Sequence, residues 1–279
     1  MTEISGDPSG GVENGNESPV IQSESVVLGY GRNVVLNEAD LQIHQGEFWC
    51  FLGSNGQGKT TFIKALLGAI RPLKGKIFFR KDFARRTRIG FVPQECELNS
   101  AAPITVKEFI LTGLVGIAVD AKNRNKRLRR LVELLQLQKH QNKNVWELSG
   151  GQRQRAMVAR ALVRDPLVLI VDEPTAGLDL SAAQSVLDTM TDLSKKHGIT
   201  IVFVTHDLEI AARRASHVAL FRNGTVAGGP LETHFTSERL TETFGVPVQV
   251  EKDAYGIKSV TYEKVAITSD EPSQERGVS

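Results

Sequence analysis

Long apolar runs are absent from this 279-residue chain. No stretch approaches the ~18–20 apolar residues that a helix needs to span a bilayer. The longest candidate, residues 110–119, is short and is interrupted by Gly113 and Gly116. Any membrane role must therefore come through a partner polypeptide. Cysteine is almost absent too. Cys50 and Cys96 stand in no metal-ligand spacing, and Cys50 falls in a predicted buried strand. It reads as a reduced thiol in a core, which favours a reducing compartment. Net charge is small: 34 Lys and Arg against 32 Asp and Glu leave +2, too little to argue for a nucleic-acid partner. Residues 1–19 have little apolar content and lack both a basic n-region and an apolar h-region. They are expected to form a disordered leader and not a secretory signal. The tail from about Ser269 reads the same way, at the end of a C-terminal extension over 251–279. No internal repeat is visible.

What remains is ordinary globular material, 41% hydrophobic and 24% charged, enough for one sizeable core and a subdomain. Residues 20–29 and 34–43 are β-rich runs separated by a Gly-Tyr-Gly-Arg-Asn turn, which predicts an antiparallel hairpin. A compact apolar strand follows at 47–52, then a helix over 58–70 that Arg71-Pro72 and Gly75 should end. Residues 88–92 form a short strand, and the pattern is helical from Gln94 to Leu148. A helix over 151–164 stops at Asp165-Pro166, and strands at 167–171, 200–204 and 218–221 then alternate with helices. That alternation is the signature of a parallel sheet covered by helices. The fold class is α/β: a core with a mostly parallel sheet, an N-terminal antiparallel β flap and a helical subdomain inserted at about 95–165.

Three motifs carry chemistry. Gly53-Ser54-Asn55-Gly56-Gln57-Gly58-Lys59-Thr60 fits G-x-x-x-x-G-K-[ST], with a strand before it and a helix after it. The glycines let backbone N–H groups turn inward around phosphate oxygens, and the helix start adds its positive dipole end. Lys59 would bridge the β- and γ-phosphates, the Thr60 hydroxyl would take Mg²⁺, and Thr61 would add an α-phosphate contact. Downstream, four apolar residues lead into Asp172 and Glu173, so that carboxylates stand at the sheet edge where α/β folds bind ligands. Asp172 would hold the Mg²⁺ shell and Glu173 would polarise the attacking water. The third motif is Leu148-Ser149-Gly150-Gly151-Gln152. Ser149 is a good N-cap and the two glycines free the first-turn N–H groups, which makes a second anion-binding helix start. The first loop already surrounds its own nucleotide, so a second cradle needs another one.

In this order the motifs resemble the ATP-binding subunit of ABC transporters, which implies a P-loop NTPase core, and the resemblance covers roughly residues 20–250. It implies Mg²⁺-dependent ATP hydrolysis in a head-to-tail dimer, where Ser149, Gly150, Gly151 and Gln152 of one copy cap the γ-phosphate held by the other. Gln94 matches the family's Q-loop, which reaches Mg²⁺ and the attacking water and hinges the helical insertion. Asp179, in Ala176-Gly177-Leu178-Asp179, matches the D-loop that crosses the dimer interface, and His206 matches the switch histidine that senses the γ-phosphate. Tyr30 stands where the family stacks an aromatic on adenine, although a turn aromatic covering the flap is a competing reading. The basic run 121–130, with six Lys or Arg residues, reads first as a solvated helix face and second as a contact for phospholipid headgroups or an acidic permease loop.

The implied partners are an integral membrane permease, a second copy of the chain and a substrate-binding protein. The implied place is the cytoplasmic face of the inner membrane. Residues 103–109 (Pro-Ile-Thr-Val-Lys-Glu-Phe) and 240–248 are similar to cassettes of metal-ion and iron-chelate importers. The rival reading is the stand-alone ATPase of iron–sulfur cluster assembly, whose signature helix usually departs from the Gln-Arg-Gln-Arg at 152–155.

Overall fold

The computed structural model describes residues 18–81, 88–94, 103–252 and 258–262. The expected leader, except for its last two residues, lies outside them, as do Cys96 and the tail from Ser269. The first strand, β1 (Ile21–Tyr30), forms an antiparallel sheet with β2 (Asn33–Leu36), β4 (Leu41–Ile43) and β6 (Lys74–Phe79). The predicted hairpin is there, with Leu28 opposite Leu36 and Ile21 opposite Ile43. Its second arm is not one strand, however. The Asn37 N–H donates to the Gly224 carbonyl at 2.6 Å, which draws β3 (Glu38–Ala39) out of the hairpin. It pairs instead with β11 (Thr225–Pro230) of the main sheet.

That main sheet runs β3-β11-β10-β5-β9-β8-β7, with β5 at Phe48–Leu52, β7 at Ile89–Val92, β8 at Val168–Asp172, β9 at Thr200–Val204 and β10 at His217–Arg222. All its pairings are parallel except β10 with β11. Its central strands β5 and β9 are buried at every residue, as expected of strands covered on both faces. Alternate side chains serve two cores. Phe48, Cys50 and Leu52 face one, with Leu169, Val171, Ile201 and Phe203. Trp49 and Phe51 face the other, with Ile170, Val202 and Phe62.

Helices α1 (Lys59–Leu67), α2 (Val106–Leu111), α3 (Ala121–Leu134), α4 (Gly150–Leu162) and α5 (Leu180–His197) cover the sheet or build the insertion. The first ends earlier than predicted, because Gly68 adopts φ 79° and its N–H closes on the Ala65 carbonyl. Gly75 serves the sheet instead. A Cβ there would lie 2.3 Å from the Ser25 carbonyl, so only glycine lets β6 cross β1 at its irregular register. The 103–109 segment is a helix start. Thr105 and Glu108 form a reciprocal capping box at the N-terminus of α2. After α6 (Leu208–Arg214), α7 (Leu231–His234) and α8 (Ser237–Phe244) comes an antiparallel hairpin of β12 (Val248–Lys252) and β13 (Lys258–Tyr262). No helix among the described residues is long and apolar enough to cross a membrane.

Candidate functional site

The glycine loop joins the buried end of β5 to α1. Gly53 (φ 146°), Gly56 (φ 81°) and Gly58 (φ 95°) take conformations that side-chain-bearing residues rarely adopt. A Cβ at Gly58 would also strike the Leu36 side chain at 2.7 Å. The loop is held from outside by Gln57, whose Oε1 accepts from the Asn223 N–H at 2.7 Å. Lys59 is buried, and its ammonium donates to the Gly53 and Ser54 carbonyls, the latter at 3.0 Å. Burial lowers its pKa, while Glu173 and Asp172 push it back up.

The second wall is the end of β8. Burial, then the Glu173 carboxylate, raises the Asp172 pKa above the usual carboxylate range, and Lys59 offsets part of the shift. Glu173 is a non-glycine residue at φ 43°, a conformation that costs on the order of 1–3 kcal/mol and collects at functional sites. Its N–H donates to the Val204 carbonyl at 3.1 Å, fixing the turn. Its carboxylate is gripped from both sides. Gln94 Nε2 donates to Oε2 at 3.1 Å, and His206 Nδ1 lies 3.3 Å from Oε1, donating in the Nδ1–H tautomer. The His206 side chain is 71% exposed and that of Glu173 only 17%, so the histidine reaches from solvent to an acid that is mostly covered. Asn55, Gly56, Gly58, Lys59, Thr60, Thr61, Gln94, Asp172 and Glu173 line one recess of 180 Å³.

The other motif residues stand elsewhere. Ser149 and Gln152 form a capping box on α4, with the Ser149 Oγ accepting from the Gln152 N–H and the Gln152 Oε1 accepting from the Ser149 N–H. Gly150 and Gly151 allow close packing on the start of α5: added Cβ atoms would meet Leu178 at 2.9 Å and Ala182 at 2.8 Å. Asp179 caps α5 through the Ala182 N–H at 2.9 Å, and the next residue, Leu180, is 87% exposed. Tyr30 is half-exposed at the end of β1, with the Lys64 ammonium 5.8 Å from its ring centroid. None of Tyr30, Ser149, Gly150, Gly151, Gln152 and Asp179 lines the recess. Arg153, noted in the sequence only as part of a run, has a specific structural role. It donates to the carbonyls of Trp146 and Leu148 and lies 5.4 Å from the Trp146 ring centroid, which ties the approach to Ser149 onto α4. Its pairing with Trp146 follows from the fold and has no local sequence signal.

The charge pattern yields a prediction for the ligand-free protein. The folded-state pKa of Asp172 lies above its unfolded value, so its ionised form opposes folding. That penalty is full above the folded pKa and vanishes below the unfolded one. Asp172→Asn is therefore expected to raise the melting temperature at pH 7, on the order of a few degrees, and to lose this gain as pH falls through the carboxylate range. A melting series over pH 3–7 checks it; an unchanged or lower melting temperature at pH 7 contradicts the sign.

Comparison with known proteins gives the family. A family model described as ABC transporter matches residues 36–176. The zinc import ATP-binding protein ZnuC of Hydrogenovibrio crunogenus is 32% identical over 234 residues, which covers 82% of this chain and 88% of that protein. A solved ABC transporter of metal-chelate type, captured inward-facing, aligns with a TM-score of 0.77 at 27% identity, over 88% of this chain and 96% of the other. A dimeric ATP-binding cassette bound to ADP and Pi aligns with a TM-score of 0.63 at 26% identity, over 76% of this chain and 98% of that one. These are transporter cassettes, which decides against the iron–sulfur assembly reading. The chain belongs to the ABC transporter family, as an ATP-binding and ATP-hydrolysing subunit.

Proposed function

We propose that two copies of this chain hydrolyse Mg-ATP at composite sites and so drive a separate permease that moves a metal ion or metal chelate. The observation that carries the composite site is the division of its parts. The recess holds the phosphate loop, Asp172 and Glu173, while the Ser149–Gln152 cap and Asp179 lie outside it. A head-to-tail partner would supply them from the other face. The cargo class rests on likeness to the zinc import protein and the metal-chelate transporter.

Within the site each group has a role. The loop N–H groups and Lys59 hold the phosphates. Among the described residues no three His, Cys, Asp or Glu side chains form a metal cage. Mg²⁺ suits the site nonetheless, because it is usually held by one or two carboxylates together with substrate phosphates. Thr60, Gln94 and Asp172 present the hard oxygen donors it takes, and a divalent charge would relieve the raised carboxyl pKa of Asp172. When bound it would neutralise charge on the β- and γ-phosphates. Glu173 takes a proton from the attacking water, whose oxygen bonds to the γ-phosphorus as the bond to the ADP oxygen breaks. Gln94 and His206 hold the Glu173 carboxylate in place through that step. Closing the dimer around ATP would shift the permease between two states, because nucleotide binding and permease conformation are linked.

The protein is expected at the cytoplasmic face of the inner membrane, held there by the permease, with a substrate-binding protein delivering cargo. Native material should sediment with membranes and leave them, on detergent treatment, as a complex with an integral membrane protein. ATP-dependent metal uptake by that complex in vesicles is the expected activity. Recovery from the soluble fraction with soluble partners only is the contrary result.

A further inference from the structure

The C-terminal hairpin β12–β13 has no part in the chemistry above, yet it reaches the catalytic end of the main sheet through one short helix. That helix, α6, has seven residues, too few to hold a position without tertiary support. Its cap is adjacent to His206. The Asp207 N–H donates to Thr205 Oγ1 at 3.0 Å, and Asp207 Oδ1 accepts from the N–H groups of Glu209 at 2.9 Å and Ile210 at 3.3 Å. His206 is thus bracketed between the end of β9 and the start of α6. The β9 side is fixed by the sheet, where the Thr205 N–H donates to the Phe51 carbonyl at 3.3 Å, so the seat of α6 sets the other side of His206.

The body of α6 packs more on β13 than on β5. Glu209 Oε1 accepts from the Val260 N–H at 3.0 Å. That bond is the main reason its carboxyl lies below the usual range, with Arg213 adding to it. Val260 faces Val250 across the hairpin, and the Val250 N–H also donates outside the ladder, to Ser237 Oγ at 2.9 Å. The two strands therefore staple α6 to α8. Two further bonds anchor the hairpin: the Val248 N–H to Thr241 Oγ1 at 2.9 Å and Lys252 to Glu232 at 2.8 Å. Val248 and Val260 are buried in the same core as Leu208, Ile210 and Ala211.

We propose that Glu209 is a positioning residue, through which the C-terminal hairpin seats α6 and holds His206 against Glu173. The inference rests on His206 acting in hydrolysis, as set out above. Turnover is then governed in part by an element that touches neither nucleotide nor metal, and displacement of the hairpin slows hydrolysis without weakening ATP binding.

Four full-length variants test this by steady-state ATP turnover: Glu209→Ala, Glu209→Gln, His206→Ala, and Glu209→Ala with His206→Ala. Glutamine keeps an oxygen acceptor for the Val260 N–H, so Glu209→Gln is expected within about twofold of the parent. Alanine removes the acceptor, and kcat is expected to fall about fivefold, the factor of one net hydrogen bond, with KM for ATP unchanged. In the His206→Ala background the same change should cost nothing more, because both act through one side chain. An equal loss in both backgrounds, no loss at all, or a change confined to KM overturns the proposal. Parental turnover in His206→Ala alone overturns the role of His206 instead, and that result is read without reference to Glu209. Val260→Pro deletes the same bond from the hairpin side, at a strand position whose N–H does not serve the ladder. It is expected to reproduce the Glu209→Ala pattern, and serves if that variant proves too unstable to assay.

Discussion

Glu173→Gln is expected to bind ATP as tightly as the parent and to hydrolyse it ~10²–10⁴-fold more slowly, the usual cost of removing a general base. The structure makes this substitution a clean one. The glutamine side chain has the same shape and retains an oxygen to accept from Gln94 Nε2, now at 3.1 Å from Oε2 of the acid. The neighbouring Asp172, Lys59 and loop glycines keep their places, so nucleotide binding has no reason to fail. What is lost is the capacity to accept a proton from water. Because hydrolysis would normally reopen the dimer, the variant should accumulate as a dimer when ATP and Mg²⁺ are present, visible by sedimentation or gel filtration. Parental turnover in Glu173→Gln would remove Glu173 from the role of base and leave its strained backbone at φ 43° without a catalytic explanation.

The site and the fold were legible in the sequence to different degrees, for physical reasons. The glycine loop, the Ser149 cap and the acidic end of β8 depend on neighbouring residues, so their backbone chemistry can be read locally. The apolar runs of β5, β8 and β9 carry the parallel sheet in the same way. The meeting of Gln94, Glu173 and His206 is another matter. These residues are far apart in the chain, and only the family's motif order put them together in advance; the two contacts to the Glu173 carboxylate are features of the folded chain. Elements fixed by long-range pairing were not legible. The split of 34–43 depends on the Gly224 carbonyl, and β6 owes its place to β1 across the glycine at 75. Strand β11 is rich in Gly and ends in Pro230, which disguises it as a turn. The hairpin β12–β13 carries a charged, weakly alternating sequence whose buried valines make sense only against α6 and α8.

If neither copy owns a complete site, mixing two defective chains should restore one. Lys59→Ala removes the phosphate-binding ammonium inside the recess, and Ser149→Arg blocks the cap that lies outside it. Alone, each chain forms dimers in which both sites carry one defect, and ATP turnover should be near background. In a mixed dimer the defects fall together at one site, and the other joins an intact Lys59 to an intact Ser149. With random pairing in an equal mixture, half the dimers are mixed and each has one working site of two, so about a quarter of parental activity should return under head-to-tail symmetry. Titrating one chain into the other while recording ATP hydrolysis gives the answer. Recovery that peaks near equal amounts is the predicted result. Turnover by Ser149→Arg alone at the parental rate, or no recovery at any ratio, contradicts the composite site.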